Sequence, residues 1–110
     1  MIEQELFSVL GLARRAGLLI IGVDEINKKL KKNKEGLLVL LASDASSSVK
    51  RSVTAKMAEG QSILINIPLT CGEVSRAIGT TSTQIVALSR RSGLGEKIQA
   101  LLAEGGNMLE

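Results

Sequence analysis

The sequence predicts an α/β fold in which helices cover both faces of one four-stranded sheet. Three observations carry this. Helical and strand patterns alternate along the whole chain, which is the signature of helices layered on a sheet. The run Leu37-Leu38-Val39-Leu40-Leu41-Ala42 is apolar at every position, as a strand buried on both faces must be. With 110 residues, five helical and four strand segments use up the length, so a single domain over 1–110 is expected. A hydrophobic content of 45% and a mean hydropathy of +0.23 argue for a packed aliphatic core rather than disorder.

The first helix is expected over 3–16, where Leu6, Val9, Leu10 and Ala13 recur at helical spacing before Gly17 ends it. Leu18-Leu19-Ile20-Ile21, closed by Gly22, reads as a short buried strand. A second helix follows from Val23 to about Asn33, and 33–36 reads as a turn. After the central strand over 37–42, Ser43-Asp44 supply capping chemistry for a helix over 45–58, stopped by Gly60. A third strand is expected over 62–66, a short helix over 71–78 ended by Gly79, and a fourth strand over 84–88. The last helix is expected over 90–103, with a frayed tail from about 104.

The residues that are missing remove whole chemistries. There is no His, hence no imidazole base, no catalytic triad and no His-containing zinc site. Cys71 is the single cysteine, which excludes an internal disulfide and an all-Cys metal site. Phe7 is the single aromatic, which excludes a platform for stacking bases in series. The start Met1-Ile2-Glu3-Gln4-Glu5 is acidic, unlike a secretory signal, and no apolar run reaches membrane-spanning length. A cytoplasmic protein with no metal, no cofactor and no membrane partner is expected.

A net charge of +3 hides a strong asymmetry. Residues 14–56 hold ten Lys or Arg against four acids, a net of +6, and five lysines fall within 28–34. Such clustering suits polyphosphate, and it also suits a plain solvated helix face. On the second helix, Val23, Ile26, Asn27 and Leu30 share the inward side, while Asp24, Lys28, Lys31 and Lys32 share the solvent side. Gly22 precedes the helix start, where N–H groups are unpaired and the dipole is positive. These features suit an anion; Asp24 and Glu25 suit either dipole complements or acceptors for base amino groups.

Other motifs carry less. Gly93-Leu94-Gly95 lacks the third glycine of a dinucleotide fingerprint and follows the last strand, so it reads as a turn. Ser46-Ser47-Ser48 reads as capping, Cys71 as a small buried side chain, and Asn27 as a hydrogen-bonded core residue.

Three stretches in register resemble a known family. They are Leu10-Gly11-Leu12-Ala13-Arg14-Arg15-Ala16-Gly17 followed by Gly22-Val23-Asp24-Glu25-Ile26-Asn27-Lys28, the strand into Leu41-Ala42-Ser43-Asp44-Ala45-Ser46, and Val74-Ser75-Arg76-Ala77-Ile78-Gly79. Together they resemble the YlxQ-type bacterial branch of the ribosomal L7Ae, L30e and Gadd45 superfamily, from about Leu6 to Leu102. The resemblance implies a three-layer α/β/α sandwich with a mixed four-stranded sheet. It also implies RNA binding, which better-known relatives direct at kink-turns.

Gly22, Glu25 and Lys28 match the family's stretch at the start of the second helix. Asp24 stands where archaeal and eukaryotic members carry asparagine; an ionised carboxylate only accepts hydrogen bonds, whereas an amide also donates. The YlxQ-type branch is similar to this chain in having an acid there. The family's second contact is the loop after the fourth helix, here Ile78 to Thr83, with Gly79 to Thr83 expected to be exposed and rich in hydroxyls.

The expectation is therefore a small, monomeric, non-enzymatic RNA-binding protein of ribosomal-protein type. Gly22 would approach the RNA backbone, and Lys28, Lys31 and Lys32 would neutralise phosphate. Glu25 and Asp24 would accept from base edges, and Gly79, Thr80 and Thr81 would lodge an unpaired nucleotide. The alternative is a protein-interaction module on the same fold, marked by a contiguous apolar surface patch.

Overall fold

The strand expected at the centre is there, buried at all five positions because both faces are covered. This computed structural model describes residues 2–32, 36–57 and 62–104, apart from the side chains of Lys56 and Glu104. Residues 33–35 of the turn expected over 33–36, the stop at Gly60 and residues 105–110 of the tail expected from about 104 lie outside the described residues. In chain order the elements are α1 (Ile2–Arg15), β1 (Ile20–Ile21), α2 (Val23–Lys32), β2 (Leu37–Leu41), α3 (Ser47–Met57), β3 (Ile63–Asn66), α4 (Cys71–Ile78), β4 (Ile85–Ser89) and α5 (Gly93–Glu104).

The strands form one mixed sheet in the order β1-β4-β2-β3. β2 runs parallel to β3 and antiparallel to β4, and β1 runs antiparallel to β4. Alternation along the strands sorts the side chains into two cores. Leu38 and Leu40, beside Leu88 and Val86, pack under α1, α4 and α5 through Leu6, Leu10, Val74, Ile78, Ile98 and Leu102. Leu37, Val39 and Leu41, beside Ala87 and Ile85, pack under α2 and α3 through Ile26 and Val53. Each fully buried Leu or Ile contributes about 1.5–3 kcal/mol, so these two faces dominate the stability.

Close packing sets two glycines. A Cβ on Gly11 of α1 would stand 3.1 Å from the carbonyl oxygen of Ala77 on α4. A Cβ on Gly95 would strike the carbonyl oxygen of Ser89, because the first turn of α5 folds back onto the end of β4. Gly93-Leu94-Gly95 is thus the first turn of α5 rather than a free turn. α5 starts at Gly93, not at 90, because Ser92 caps it: its hydroxyl accepts the N–H of Gly95 at 3.0 Å.

Two further expectations are corrected. Leu18-Leu19-Ile20-Ile21 is not a buried strand; β1 is a two-residue edge strand, half-buried, and Leu18 is 40% exposed. An edge strand has a hydrogen-bonding neighbour on one side only, so although Ile20 packs toward the α2–α3 core and Leu19 and Ile21 toward the opposite one, each stays half-buried. α3 begins at Ser47 rather than 45, with Ser46 as its cap, its hydroxyl accepting the N–H of Val49 at 3.3 Å. Asp44 serves α4 instead, accepting the N–H of Cys71.

Candidate functional site

Strand order assembles one end of the sheet. Because β1 and β4 are antiparallel, the end of β1 lies beside the start of β4. Gly22, next in the chain, donates its N–H to the carbonyl of Ile85 at 3.2 Å. The loop over 79–83 feeds β4 at that point, so the N-terminus of α2 and the loop meet at one end of the sheet. Gly22 has φ +93°, a conformation that L side chains rarely adopt, and nothing stands near the place of its missing Cβ. The glycine serves the backbone turn and leaves the surface open.

Three helices start at this end, and two are closed by the protein itself. At α4, Thr70 and Glu73 form a reciprocal capping box, and Asp44 accepts the N–H of Cys71 at 2.7 Å. At α3, Ser46 caps while its own N–H goes to the Gln84 side chain at 2.7 Å. α2 starts straight from Gly22, and among the described residues no side chain caps its first N–H groups. Its first turn instead carries Asp24 and Glu25, both exposed.

The solvent side of α2 is as the spacing predicts, with Lys28, Lys31 and Lys32 all exposed. Lys28 Nζ lies 3.7 Å from Glu25 Oε1, an exposed pair that adds little to stability. Asp24, Asn27, Lys28 and Lys31 line an open hollow of about 270 Å³. Asn27 is half-buried and donates from Nδ2 to Ser52 Oγ on α3 at 3.2 Å; its Oδ1 is enclosed and accepts no hydrogen bond.

The loop departs from its expected exposure. Gly79 ends α4 at φ +74°, turning the chain back so that Thr80 N–H reaches the carbonyl of Ser75 at 2.9 Å. Thr83 is buried, not exposed: its N–H donates to Ser75 Oγ at 2.8 Å. The hydroxyls of Thr80 and Thr83 lie 2.6 Å apart, so the Thr80 hydroxyl is engaged within the loop. Gly79, Thr81 and Ser82 form the exposed tip.

The fold also brings up two residues that were not among the expected site residues. Arg14 Nε donates to the carbonyl of Ile78 at 3.4 Å, placing an exposed guanidinium at the foot of the loop. Gln84 ties the loop to the segment after β2, its carbonyl accepting the N–H of Ala42 at 2.9 Å. No local signal marks Gln84; the Thr70-x-x-Glu73 capping box, by contrast, is visible in the sequence.

Cys71 is half-buried, and burial, then Asp44, pushes its thiol up to about 11. A thiol so poised is a poor nucleophile at neutral pH. Among the described residues no group of three or more His, Cys, Asp or Glu could hold a metal ion, and no helix is long and apolar enough to cross a membrane.

The model of the ribosomal protein L7Ae/L30e/S12e/Gadd45 family matches residues 4–95. Among solved structures, a protein with unknown function from Bacillus halodurans C aligns with a TM-score of 0.77 at 28% identity, covering 88% of this chain and 95% of that one. The Giardia lamblia 15.5kD RNA binding protein aligns with a TM-score of 0.70 at 17% identity, covering 94% of this chain and 86% of that one. No curated protein matches the chain.

Proposed function

Because the chain belongs to the ribosomal protein L7Ae/L30e/S12e/Gadd45 family, we propose that it is a non-enzymatic, monomeric RNA-binding protein of the YlxQ-type bacterial branch, cytoplasmic and tied to translation. Its target is an internal-looped or kink-turn RNA. The observation that carries this reading is that α2, alone of the three helices starting at its end of the sheet, has no side-chain cap among the described residues and lies beside the 79–83 loop.

In this reading Gly22 and the free N–H groups of α2 meet the RNA backbone, where the helix dipole favours a phosphate. Lys28, Lys31 and Lys32 neutralise further phosphates. Glu25 and Asp24 accept hydrogen bonds from base amino groups; with a carboxylate in place of the amide, Asp24 selects a donor edge only. Gly79 and Thr81 support an unpaired nucleotide, with Thr80 shaping the loop from within. A plain A-form duplex does not offer its bases to such a rim, because its major groove is too narrow.

A protein-interaction role would call for a contiguous apolar patch. Among the described residues the exposed large hydrophobics are Leu12 and Leu18, both outside the rim.

The test is a binding titration against a kink-turn RNA, a matched plain duplex and ribosomal RNA at two salt concentrations. The looped RNAs should bind more tightly, with steep salt dependence. Equal, weak binding to all three would refute the rim. Lys28→Glu, at a side chain 71% exposed, should leave folding intact while weakening RNA and reducing the salt slope by about 1 or more.

A further inference from the structure

We infer that the outer face of the α2–α3 layer is a second phosphate-binding surface, which grips the A-form stem flanking the RNA held at the α2 N-terminus. This rests on the reading of the chain as an RNA binder, and extends it to a helix that the family motifs do not touch.

The sheet divides the charge of the molecule. α2 and α3 together hold seven Lys or Arg against two acids, whereas α1, α4 and α5 hold four against five. Both acids of the cationic layer lie in the first turn of α2, at the rim, and α3 has none. Beyond that first turn the layer bears positive charge only. Lys29 on α2 and Lys50 and Arg51 on α3, continuing outward from the Lys31 and Lys32 assigned to the rim, are all exposed, and among the described residues none of them pairs with a carboxylate.

These charges stand on a rigid base. Ile26 and Val53 are completely buried against the same sheet face, and the Asn27–Ser52 hydrogen bond holds the two helices side by side. Two adjacent helices span about 15 Å along α2 and 8–10 Å across to α3. That is wide enough to meet several successive phosphates.

The kind of partner follows from what accompanies the charges. Phe7, the single aromatic, is on α1, so this layer offers no aromatic platform for bases and its lysines and arginine suit the phosphate backbone. Among the described residues the exposed large hydrophobics, Leu12 and Leu18, are also off it. A helix that inserts into a membrane surface needs an exposed apolar side, and this layer spends its apolar side on the core.

The experiment uses the full chain and its Lys50→Gln/Arg51→Gln double variant, with Lys97→Gln on the opposite layer as control. Each is titrated over a salt series with a plain RNA duplex and with the same duplex interrupted by an internal loop. Circular dichroism melting should be unchanged in both variants, since all three side chains are exposed. The double variant should lose roughly tenfold in affinity for both RNAs at low salt, with a salt slope shallower by about 2, while Lys97→Gln changes neither. Its preference for the looped RNA should persist, because that preference belongs to the rim. An unchanged slope in the double variant, or an equal loss in Lys97→Gln, would overturn the inference. So would tighter binding to phosphatidylserine vesicles than to the duplex, lost in the double variant. If instead the full chain shows no preference for the looped RNA and the double variant still loses slope, the rim reading fails and this surface stands.

Discussion

The carboxylate of Asp44, in the turn after β2, accepts the backbone N–H of Cys71 at 2.7 Å and so fastens that turn to the first residue of α4. Each residue shifts the other. The hydrogen bonds from Cys71 hold the Asp44 carboxyl below its usual value, and burial followed by Asp44 pushes the Cys71 thiol up to about 11.

The contact makes stability depend on pH in a defined direction. A depressed carboxyl pKa contributes stability above the unfolded value of 3.8, lost as pH falls through the folded one. Asp44→Asn should therefore flatten the stability curve at the acid end and lower Tm by a few degrees at neutral pH. The raised thiol acts at the other end: its contribution is complete below 9.0 and is lost as pH rises towards about 11. Urea titrations across pH read both limbs.

The same pair controls thiol reactivity. Iodoacetamide should label Cys71 slowly in the folded protein at mildly alkaline pH, and faster in Asp44→Asn. It should still react more slowly than in the unfolded chain, because burial is the larger cause of the shift. Equal labelling rates in the two folded proteins would show that Asp44 does not govern the thiol.

Ser75 should act on RNA without touching it. Its buried hydroxyl takes the N–H of Thr83, and Ser75→Ala leaves that donor unpaired at a cost of about 1–3 kcal/mol. The 79–83 loop should loosen, and affinity for looped RNA should drop while binding to plain duplex is unchanged. Chemical denaturation and the two titrations together check this.

Two glycines of one motif should respond with opposite signs. Gly95→Ala drives a Cβ into the carbonyl of Ser89 and should destabilise by about 1–3 kcal/mol. Gly93→Ala meets nothing within 4 Å and gains helix propensity, so it should be neutral or stabilising by up to about 1 kcal/mol. Thermal melts of the two single variants decide it.

Much of this molecule is legible in local windows. The unbroken apolar run of β2 announces a central strand, and helical spacing puts Lys28, Lys31 and Lys32 in solvent. Where windows mislead, a distant partner has intervened. Asp44 is placed to cap the helix that follows it, yet Cys71, 27 residues on, takes its carboxylate. Thr83 looks like part of a polar tip, yet Ser75 draws its backbone inward.

Local sequence accounts for the order of the nine elements among the described residues, the apolar spine of the sheet and the +6 segment over 14–56. These follow from periodicity and composition, which short stretches carry on their own. The insertion of β4 between β1 and β2 belongs to the whole fold instead, since strand neighbours are chosen by burying all apolar faces at once. That choice puts Gly22 against Ile85 and the 79–83 loop beside the start of α2. It also turns a charge asymmetry along the chain into one between the two faces of the sheet.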